Sequence, residues 1–273
     1  MYRSILFVPA IRPELIPKAM NAGASAVCVD LEDAVPLGQK AEARKIIGAY
    51  PVKSSLDVVQ CLRINALTTK DGVLDIAALS QSESKPEVLV VPKVTGATEL
   101  SIIAATCGDD VSVIAIIEST AGLNAVNHIA AHSSTKALLF GSADFSAEIG
   151  SSMEWDALLY ARSKIIAAAA AHGKKALDGI WADLEDTDGL IDNTRRLKAM
   201  GFCGRVAIHP KQIHGINLGF APTVAELATA REVIRIFESA GGTAVQVNGK
   251  MVDRPIYDMA ISLVKQNASF DKS

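Results

Sequence analysis

The sequence lacks the charge pattern of a nucleic-acid-binding protein. Its 27 lysines and arginines face 30 aspartates and glutamates, which gives a formal net charge of −3. Proteins that bind DNA or RNA generally carry a basic patch or stripe, and no run of lysines or arginines stands out here. The composition therefore argues against a nucleic-acid partner.

Cysteines are few and far apart. The chain has four of them, Cys28, Cys61, Cys107 and Cys203, with no C-x-x-C pair and no other spacing typical of metal ligands. This pattern argues against a zinc site and against a disulfide scaffold. Reduced thiols suit a cytoplasmic protein.

Long hydrophobic runs are also missing. The N-terminal run SILFV is followed by Pro9 and is too short for the core of a signal peptide. The longest uncharged, mostly apolar stretch, IIAAAAAHG from Ile165, falls far below the length that crosses a membrane. We therefore expect a soluble, cytoplasmic protein that does not enter the membrane.

What the sequence does contain is a regular series of short, β-rich apolar runs. Eight such runs begin at Ser4, Ala26, Val58, Val88, Val111, Ala137, Lys174 and Arg205. Segments with helical spacing lie between them, and several close on glycine, which is favoured just after a helix end. Alternating β and α segments with strands apolar along their length predict a parallel (β/α)8 barrel over residues 1–220. The competing architecture is a doubly wound open sheet.

Residues 221–273 extend beyond the predicted barrel. Thr223 is well placed to cap a helix, and Asn248 with Gly249 lies between two short extended runs, which is a hairpin signal. A closing helical pattern follows. We therefore expect a C-terminal extension made of helices and a hairpin.

Charged or titratable residues end seven of the eight predicted strands. They are Asp30, Glu32 and Asp33 after the second run, then Arg63, Lys93, Glu118, Asp144, Asp178 and His209. In a parallel barrel these ends converge on one mouth, where barrel enzymes keep their active sites. A charged residue that leaves a strand usually only enters solvent, but seven together predict a functional site at this mouth.

Glu118 and Asp144 end consecutive strands, which lie about 4.8 Å apart in a barrel. Two carboxylates at that spacing suit Mg²⁺, which keeps water and substrate oxygens as its other ligands. The alternative is that both carboxylates pair with Arg63 and Lys93, and spacing alone does not decide between the two. His209 is the only histidine at a strand end, and for it both loop packing and catalysis stay open.

The chain also contains an ordered set of motifs. They are RSILFVPAIRPE, DLEDAV, LRIN, VPKV, IIESTAG, FGSADF, GFCGRVAIHPKQI, FAPT and GKMVDRP. In this order they resemble the citrate lyase beta-subunit-like family, which includes malyl-CoA and citramalyl-CoA lyases and thioesterases. The resemblance implies a (β/α)8 barrel with a C-terminal extension. One departure is Ser119, where relatives commonly have threonine, a change that keeps the hydroxyl.

The resemblance also implies roles for individual residues. Glu118 and Asp144 match the Mg²⁺ ligands, and Arg63 matches the contact to the keto-acid or thioester oxygen. Asp253 of GKMVDRP matches a catalytic aspartate that completes the site of a neighbouring subunit. Homotrimers or hexamers are the usual assembly in the family.

Four further residues are candidates for supporting roles. Glu32 and Asp33 are expected to surround the metal ligands without binding the cation. Arg12 and Lys18, near the start of the first helix, are candidates for contacts with CoA phosphates or substrate, with a solvated helix face as the alternative.

The expected reaction is the Mg²⁺-dependent retro-Claisen cleavage of a 3-hydroxyacyl-CoA, of citramalyl-CoA or malyl-CoA type, to acetyl-CoA and a 2-keto acid. The cation would hold the substrate hydroxyl and carboxylate, Arg63 would stabilise charge on oxygen, and Asp253 would exchange a proton with carbon. The alternatives are a citrate lyase beta subunit that acts on a citryl-acyl-carrier thioester and a malyl-CoA thioesterase. A rival from another class is a metal-free aldolase with Lys93 as a Schiff-base lysine.

Overall fold

Eight parallel strands close into a barrel in the computed structural model, which describes residues 2–51, 56–108 and 110–270. They are β1 (Ser4–Pro9), β2 (Ala26–Asp30), β3 (Val59–Arg63), β4 (Val88–Val91), β5 (Val113–Ile117), β6 (Thr135–Phe140), β7 (Lys175–Asp178) and β8 (Gly204–Ala207). Each strand pairs with the next, and β8 returns to β1, where Ser4 lies opposite Arg205. Each predicted run overlaps one of these strands. The (β/α)8 barrel is thus confirmed and the open sheet was the wrong alternative.

Helices connect the strands on the outside of the barrel. They are α1 (Ile16–Met20), α2 (Lys40–Arg44), α3 (Lys70–Gln81), α4 (Ala97–Cys107), α5 (Thr120–Ala131), α6 (Ser142–Ile149), α7 (Trp155–Ala171), α8 (Thr187–Met200) and α9 (Lys211–Phe220). Ser119 caps α5, because its hydroxyl accepts a hydrogen bond from the backbone N–H of Gly122 at 3.0 Å. Among the described residues no helix is long and apolar enough to cross a membrane.

Side chains alternate across the barrel wall and divide the core in two. One buried cluster fills the barrel interior and is made of strand residues: Ile5, Ala26, Cys28, Cys61, Val88, Val90, Ile114, Ile116, Ala137, Leu139, Leu177 and Val206. The strand residues of opposite parity, such as Val29, Leu62 and Phe140, pack with the helices in a second cluster. This alternation decides which residues at the strand ends face the mouth.

Residues Ala221–Ser273 form a separate compact unit. Its described part contains α10 (Val224–Ser239), a hairpin of β9 (Val245–Val247) and β10 (Lys250–Val252), and α11 (Arg254–Phe270). Thr223 caps α10 in a capping box with Glu226, as predicted. Asn248 and Gly249 form the hairpin turn with φ of 50° and 76°, the left-handed conformations that this pair favours. The predicted extension of helices and a hairpin is therefore confirmed.

Candidate active site

A cavity of about 370 Å³ opens at the carboxyl ends of the strands. Its lining includes Asp33, Arg63, Glu118 and Asp144, four of the residues that the sequence predicts for the site. Strand alternation explains the arrangement. Arg63 lies two residues after Cys61, and Glu118 two residues after Ile116, so both continue the inward-facing rows of the barrel interior. The mouth is thus the next layer above the core.

Arg63 is held by carboxylates at the end of β2 and directly after it. Its Nε and Nη2 donate to the two oxygens of Asp30, each at 2.6 Å, in a bidentate pair. Its Nη1 lies 2.9 Å from Glu32 and 3.4 Å from Asp33. The carboxylates of Asp30, Glu32 and Asp33 thus surround one buried guanidinium group.

The pKa values in this cluster follow from burial and charge. Burial lowers the pKa of Arg63, but the hydrogen bonds and charge of Asp30, together with Glu32 and Asp33, more than offset it and raise the net value. Burial raises the pKa of Glu32, and the charges of Arg63 and Lys93 only partly oppose this. Arg63 therefore stays charged at any physiological pH.

Glu118 is buried on the inner side of the mouth. Its Oε1 accepts a hydrogen bond from the backbone N–H of Lys93 at 2.7 Å. Lys93 has a left-handed backbone with φ of 54°, an uncommon conformation for a residue other than glycine. Burial, then the charges of Glu32 and Asp144, raise the pKa of Glu118 to about 8. Burial and two neighbouring carboxylates thus both disfavour the ionised form of Glu118.

Gly141 leaves the space that Glu118 occupies. A Cβ atom at this position would lie 2.4 Å from the Cβ and 2.6 Å from Oε2 of Glu118. The backbone of Gly141 has φ of −83°, so the reason for glycine here is close approach and not conformational freedom. Gly141 is not among the residues predicted from the sequence, although its position two residues after Leu139, in the inward-facing row of the strand, was a usable signal.

Asp144 reaches the cavity in a different way from the prediction. The strand β6 ends at Phe140, and Asp144 lies in the first turn of α6, exposed to solvent. The prediction that Asp144 ends a strand is therefore wrong, while its position at the mouth next to β5 is correct. The first turn of a helix favours a carboxylate, because the backbone N–H groups there carry partial positive charge.

The described residues contain no ion pair of Glu118 or Asp144 with a lysine or arginine side chain. Lys93 Nζ lies instead 3.3 Å from Oε1 of Glu32. The pairing of both carboxylates with Arg63 and Lys93, which spacing alone left open, is thus not what the structure contains. Across the described part of the chain there is also no cluster of three or more His, Cys, Asp or Glu side chains suited to a metal. A cation at this mouth would therefore take fewer than three such side-chain ligands from the described residues.

A buried lysine supports the loop that carries Glu32. Lys40 Nζ donates to the backbone oxygens of Leu31 and Glu32 at 2.8 and 2.6 Å, and to Asn65 Oδ1 at 2.7 Å. Asn65 in turn donates to Asp75 at 2.7 Å. These three acceptors satisfy all three donors of the ammonium group, so the loop after β2 is fixed from behind.

Two residues predicted at the mouth lie elsewhere. Asp178 is the last residue of β7, but it follows the inward-facing Leu177 and so points outward, where it pairs with Arg162 at 3.3 Å. His209 accepts a hydrogen bond from the backbone N–H of Lys211 at its Nδ1, at 3.1 Å, so it is packed in the loop after β8. The cavity lining includes neither residue.

The remaining predicted residues have the following positions. Arg12 and Lys18 are exposed, and Arg12 pairs with Glu14. Asp253 lies in the second compact unit, directly before α11, where its Oδ1 accepts from the backbone N–H of Ile256 at 3.4 Å. This contact fits a helix cap, and the catalytic role of Asp253 stays a prediction.

Comparison with known proteins identifies the family. The model of the HpcH/HpaI aldolase/citrate lyase family matches residues 3–210. The chain belongs to this family. The resemblance drawn from the sequence motifs is therefore confirmed.

Named members of the family resemble the chain along most of its length. The (3S)-malyl-CoA thioesterase of Cereibacter sphaeroides is 32% identical over 92% of this chain and 90% of its own. The mitochondrial citramalyl-CoA lyase of Mus musculus is 30% identical over 96% of this chain and 85% of its own. Both relatives are named as enzymes that act on CoA thioesters.

A solved structure from the family has the same fold. It is the CitE protein of Mycobacterium tuberculosis in complex with magnesium, acetoacetate and coenzyme A. The two chains are 33% identical and superpose with a TM-score of 0.86 over 97% of each. That protein therefore binds magnesium, a keto acid and CoA on the same scaffold.

Proposed function

We propose that this chain is a Mg²⁺-dependent carbon–carbon lyase. It cleaves a 3-hydroxyacyl-CoA of citramalyl-CoA or malyl-CoA type to acetyl-CoA and a 2-keto acid. The observation that supports this most is that Glu118 and Asp144 line one cavity with Arg63, and that neither pairs with a cationic side chain in the described residues. The ligands named for the similar CitE structure support the same reaction class.

The residues present fit a magnesium ion. Glu118 and Asp144 offer carboxylate oxygens, the donors that Mg²⁺ prefers, and the ion commonly binds through only one or two carboxylates. Burial, together with the charges of Glu32 and Asp144, raises the pKa of Glu118, and a divalent cation at the mouth would favour its ionised form. When bound, the cation would supply Lewis-acid polarisation of the substrate oxygens.

Arg63 has one position that a substrate oxygen can take. Its Nε and Nη2 are occupied by Asp30, whereas Asp33, at 3.4 Å from Nη1, has a side chain that is 62% exposed. Displacement of Asp33 would let Nη1 contact a developing negative charge without breaking the Asp30 pair. Asp30 and Glu32 then act by holding the guanidinium in place. Arg12 and Lys18, both exposed after β1, are proposed to contact the phosphates of CoA.

Asp253 is proposed to exchange a proton with the acetyl carbon at the site of a neighbouring subunit in a homotrimer or hexamer. The surface of the second unit supports an oligomer. Val224, Met251 and Met259 are 86%, 72% and 67% exposed, and a partner subunit would cover apolar side chains of this kind.

The central experiment is a panel of hydroxyacyl-CoA thioesters, with and without Mg²⁺, monitored for keto acid, acetyl-CoA and free thiol. A lyase forms keto acid and acetyl-CoA in equal amounts without free thiol. Equal release of free thiol and hydroxy acid would instead favour the thioesterase function suggested by the 32% identical relative. Turnover only with a thioester on an acyl-carrier protein would favour the citrate lyase beta subunit.

Variants test the metal ligands. Glu118→Ala and Asp144→Ala should abolish Mg²⁺-dependent turnover while the fold survives. Asp188→Ala is a matched control for Asp144, since Asp188 is also an exposed carboxylate in the first turn of a barrel helix but lies outside the cavity lining. Near wild-type turnover of Asp144→Ala in metal-stripped buffer would refute the metal site.

A mixing experiment tests the shared site. Asp253→Ala should lose roughly 10²–10⁴-fold in turnover through the loss of a general acid–base group, and Glu118→Ala should be inactive through the loss of a metal ligand. Mixed oligomers should regain part of the activity, because some interfaces then hold one complete site. Asp258→Ala, in the helix α11 that directly follows Asp253, serves as the control. Full activity of Asp253→Ala would remove it from the mechanism.

A further inference from the structure

A second pocket lies between the barrel wall and the helices α7 and α8. Its volume is about 420 Å³, and its lining includes Trp155, Arg162, Trp181, Arg196 and Arg205. It is next to the candidate active site, since Ser142 and Ile180 line both. The proposed reaction uses none of its arginines or tryptophans.

The floor of this pocket carries an excess of buried positive charge. Arg162 and Arg205 are 4% and 1% exposed, and Asp178, at 1%, is the carboxylate buried with them. Asp178 pairs with Nε and Nη2 of Arg162 at 3.3 Å each. Arg205 instead donates to neutral oxygens, the backbone of Gly179 and the side chains on α8. Two buried cations thus share one buried anion, which is unfavourable without a further negative group.

The pKa of Arg205 is lowered, as expected where two buried cations share one buried anion. Burial lowers it to about 10, the charge of Asp178 opposes that change, and the nearby Arg162 adds to it. The positive charge of Arg162 thus lowers the pKa of Arg205, as expected for two buried cations that lie close together.

Two buried donors in this pocket have no hydrogen-bond partner among the described residues. They are Nη1 of Arg162 and the indole Nε1 of Trp181. Buried N–H groups are nearly always paired, so two orphans in one pocket need an explanation. Both are donors, so the missing partner is an acceptor, and the excess positive charge favours an anionic one.

Aromatic rings complete the wall. The guanidinium carbons of Arg162 and Arg196 lie 4.8 and 4.0 Å from the ring centroid of Trp155. Stacking on the indole restrains both guanidinium groups. Arg162 is therefore fixed by Asp178 on one side and Trp155 on the other, while its Nη1 has no hydrogen-bond partner among the described residues.

Acidic side chains are present at the rim but do not fill this role. Glu154, Asp183 and Asp192 line the opening and are exposed, so water and salt screen them. Asp183 accepts from the backbone N–H groups of Glu185 and Asp186 at 2.9 and 3.2 Å. Asp192 pairs with Arg195 at 3.0 Å. Asp183 and Asp192 are thus engaged locally, and Glu154 is exposed to solvent, whereas the floor stays cationic.

We propose that this pocket binds a small molecule through a carboxylate or phosphate group. The oxyanion accepts hydrogen bonds from Nη1 of Arg162 and from the indole N–H of Trp181. This is a binding site in addition to the candidate active site, and it does not depend on the proposed lyase reaction.

The chain provides its own probe for this site. It contains two tryptophans, Trp155 and Trp181, and both line the pocket. Metal-free protein is titrated with inorganic phosphate and, separately, with acetate, against sodium chloride at matched ionic strength. We expect a saturable change in tryptophan emission with at least one oxyanion and none with chloride. Tighter binding of phosphate identifies a phosphate-bearing occupant, and tighter binding of acetate a carboxylate-bearing one.

Two variants locate the binding. Trp181→Phe keeps an aromatic ring and Trp155 as reporter but removes the indole donor, and should weaken the oxyanion about tenfold or more. Lys164→Gln removes a cation on the helix α7 that also carries Arg162, but outside the pocket lining, and should leave the affinity unchanged. Absence of saturable binding for both anions would overturn the proposal. Equal affinity in Trp181→Phe and wild type would also overturn it, because the anion then binds elsewhere. Because no metal or thioester is present, failure of the lyase proposal leaves this test unaffected.

Discussion

The substitution Gly141→Ala tests the geometry of the candidate metal site without removing any charged group. A Cβ at this position would lie 2.4 Å from the Cβ of Glu118, roughly 1 Å closer than normal carbon–carbon contact. The φ of Gly141 is −83°, so the effect comes from the contacts of the new Cβ, chiefly with Glu118 and also with Cγ2 of Ile116 at 3.0 Å. Overpacking of this kind costs about 1–3 kcal/mol of unfolding free energy.

The same displacement should affect function more strongly than stability. A shift of about 1 Å in a catalytic group can cost roughly 10²-fold in rate, so we expect a loss of that order, together with weaker Mg²⁺ binding. Thermal unfolding, calorimetric titration with Mg²⁺ and turnover are measured on the same protein. Gly38→Ala is the control, because a Cβ there meets no atom within 4 Å. Wild-type Mg²⁺ affinity in Gly141→Ala would refute the assignment of Glu118 as a ligand.

Three further predictions concern the charged groups at the mouth. The pKa of Glu118 is raised from 4.5 to about 8 in metal-free protein, so its stabilisation of the fold is complete below pH 4.5 and is lost as the pH rises to about 8. Thermal unfolding should show this pH dependence in the wild type and not in Glu118→Gln. Arg63→Lys should lower turnover by roughly 10²-fold or more, because an ammonium group cannot replace a bidentate pair with Asp30, and unchanged kinetics would place Arg63 outside the site. Lys93→Gly should keep most of its turnover, since the backbone N–H to Glu118 survives, whereas a Schiff-base enzyme would lose all activity and would be trapped by borohydride in its wild-type form.

The strands and the location of the site were predictable from the sequence for a physical reason. Strands of a parallel barrel are buried on both faces, so they appear as short apolar runs, as in β2, where each of the five residues is buried. The charged residues that end such runs must then leave the core at the same edge. This is why Arg63 and Glu118 could be placed at the mouth from their position in the chain alone.

The incorrect predictions concern residues whose position in the chain did not reveal the direction of the side chain or the element that carries it. Asp178 is the last residue of β7, and Glu118 comes directly after β5. Asp178 nevertheless points outward, because it lies one residue after the inward-facing Leu177. Asp144 reaches the mouth from a helix, because β6 already ends at Phe140, the first residue of the motif FGSADF. The pocket around Arg162 could not be predicted, since its residues come from separate helices and loops and no short motif joins them.

The inward rows of the barrel have a consequence for the evolution and redesign of substrate size. Ile116, Leu139 and Val206 line the candidate active site and at the same time belong to the packed barrel interior. A cavity for a bulkier acyl group would have to be opened in these residues, and a change such as Leu139→Ala costs about 2–5 kcal/mol in a packed core. Acceptance of larger substrates and thermal tolerance are therefore in direct conflict in this barrel. Variants that broaden the substrate range should arise first in backgrounds that carry stabilising substitutions elsewhere.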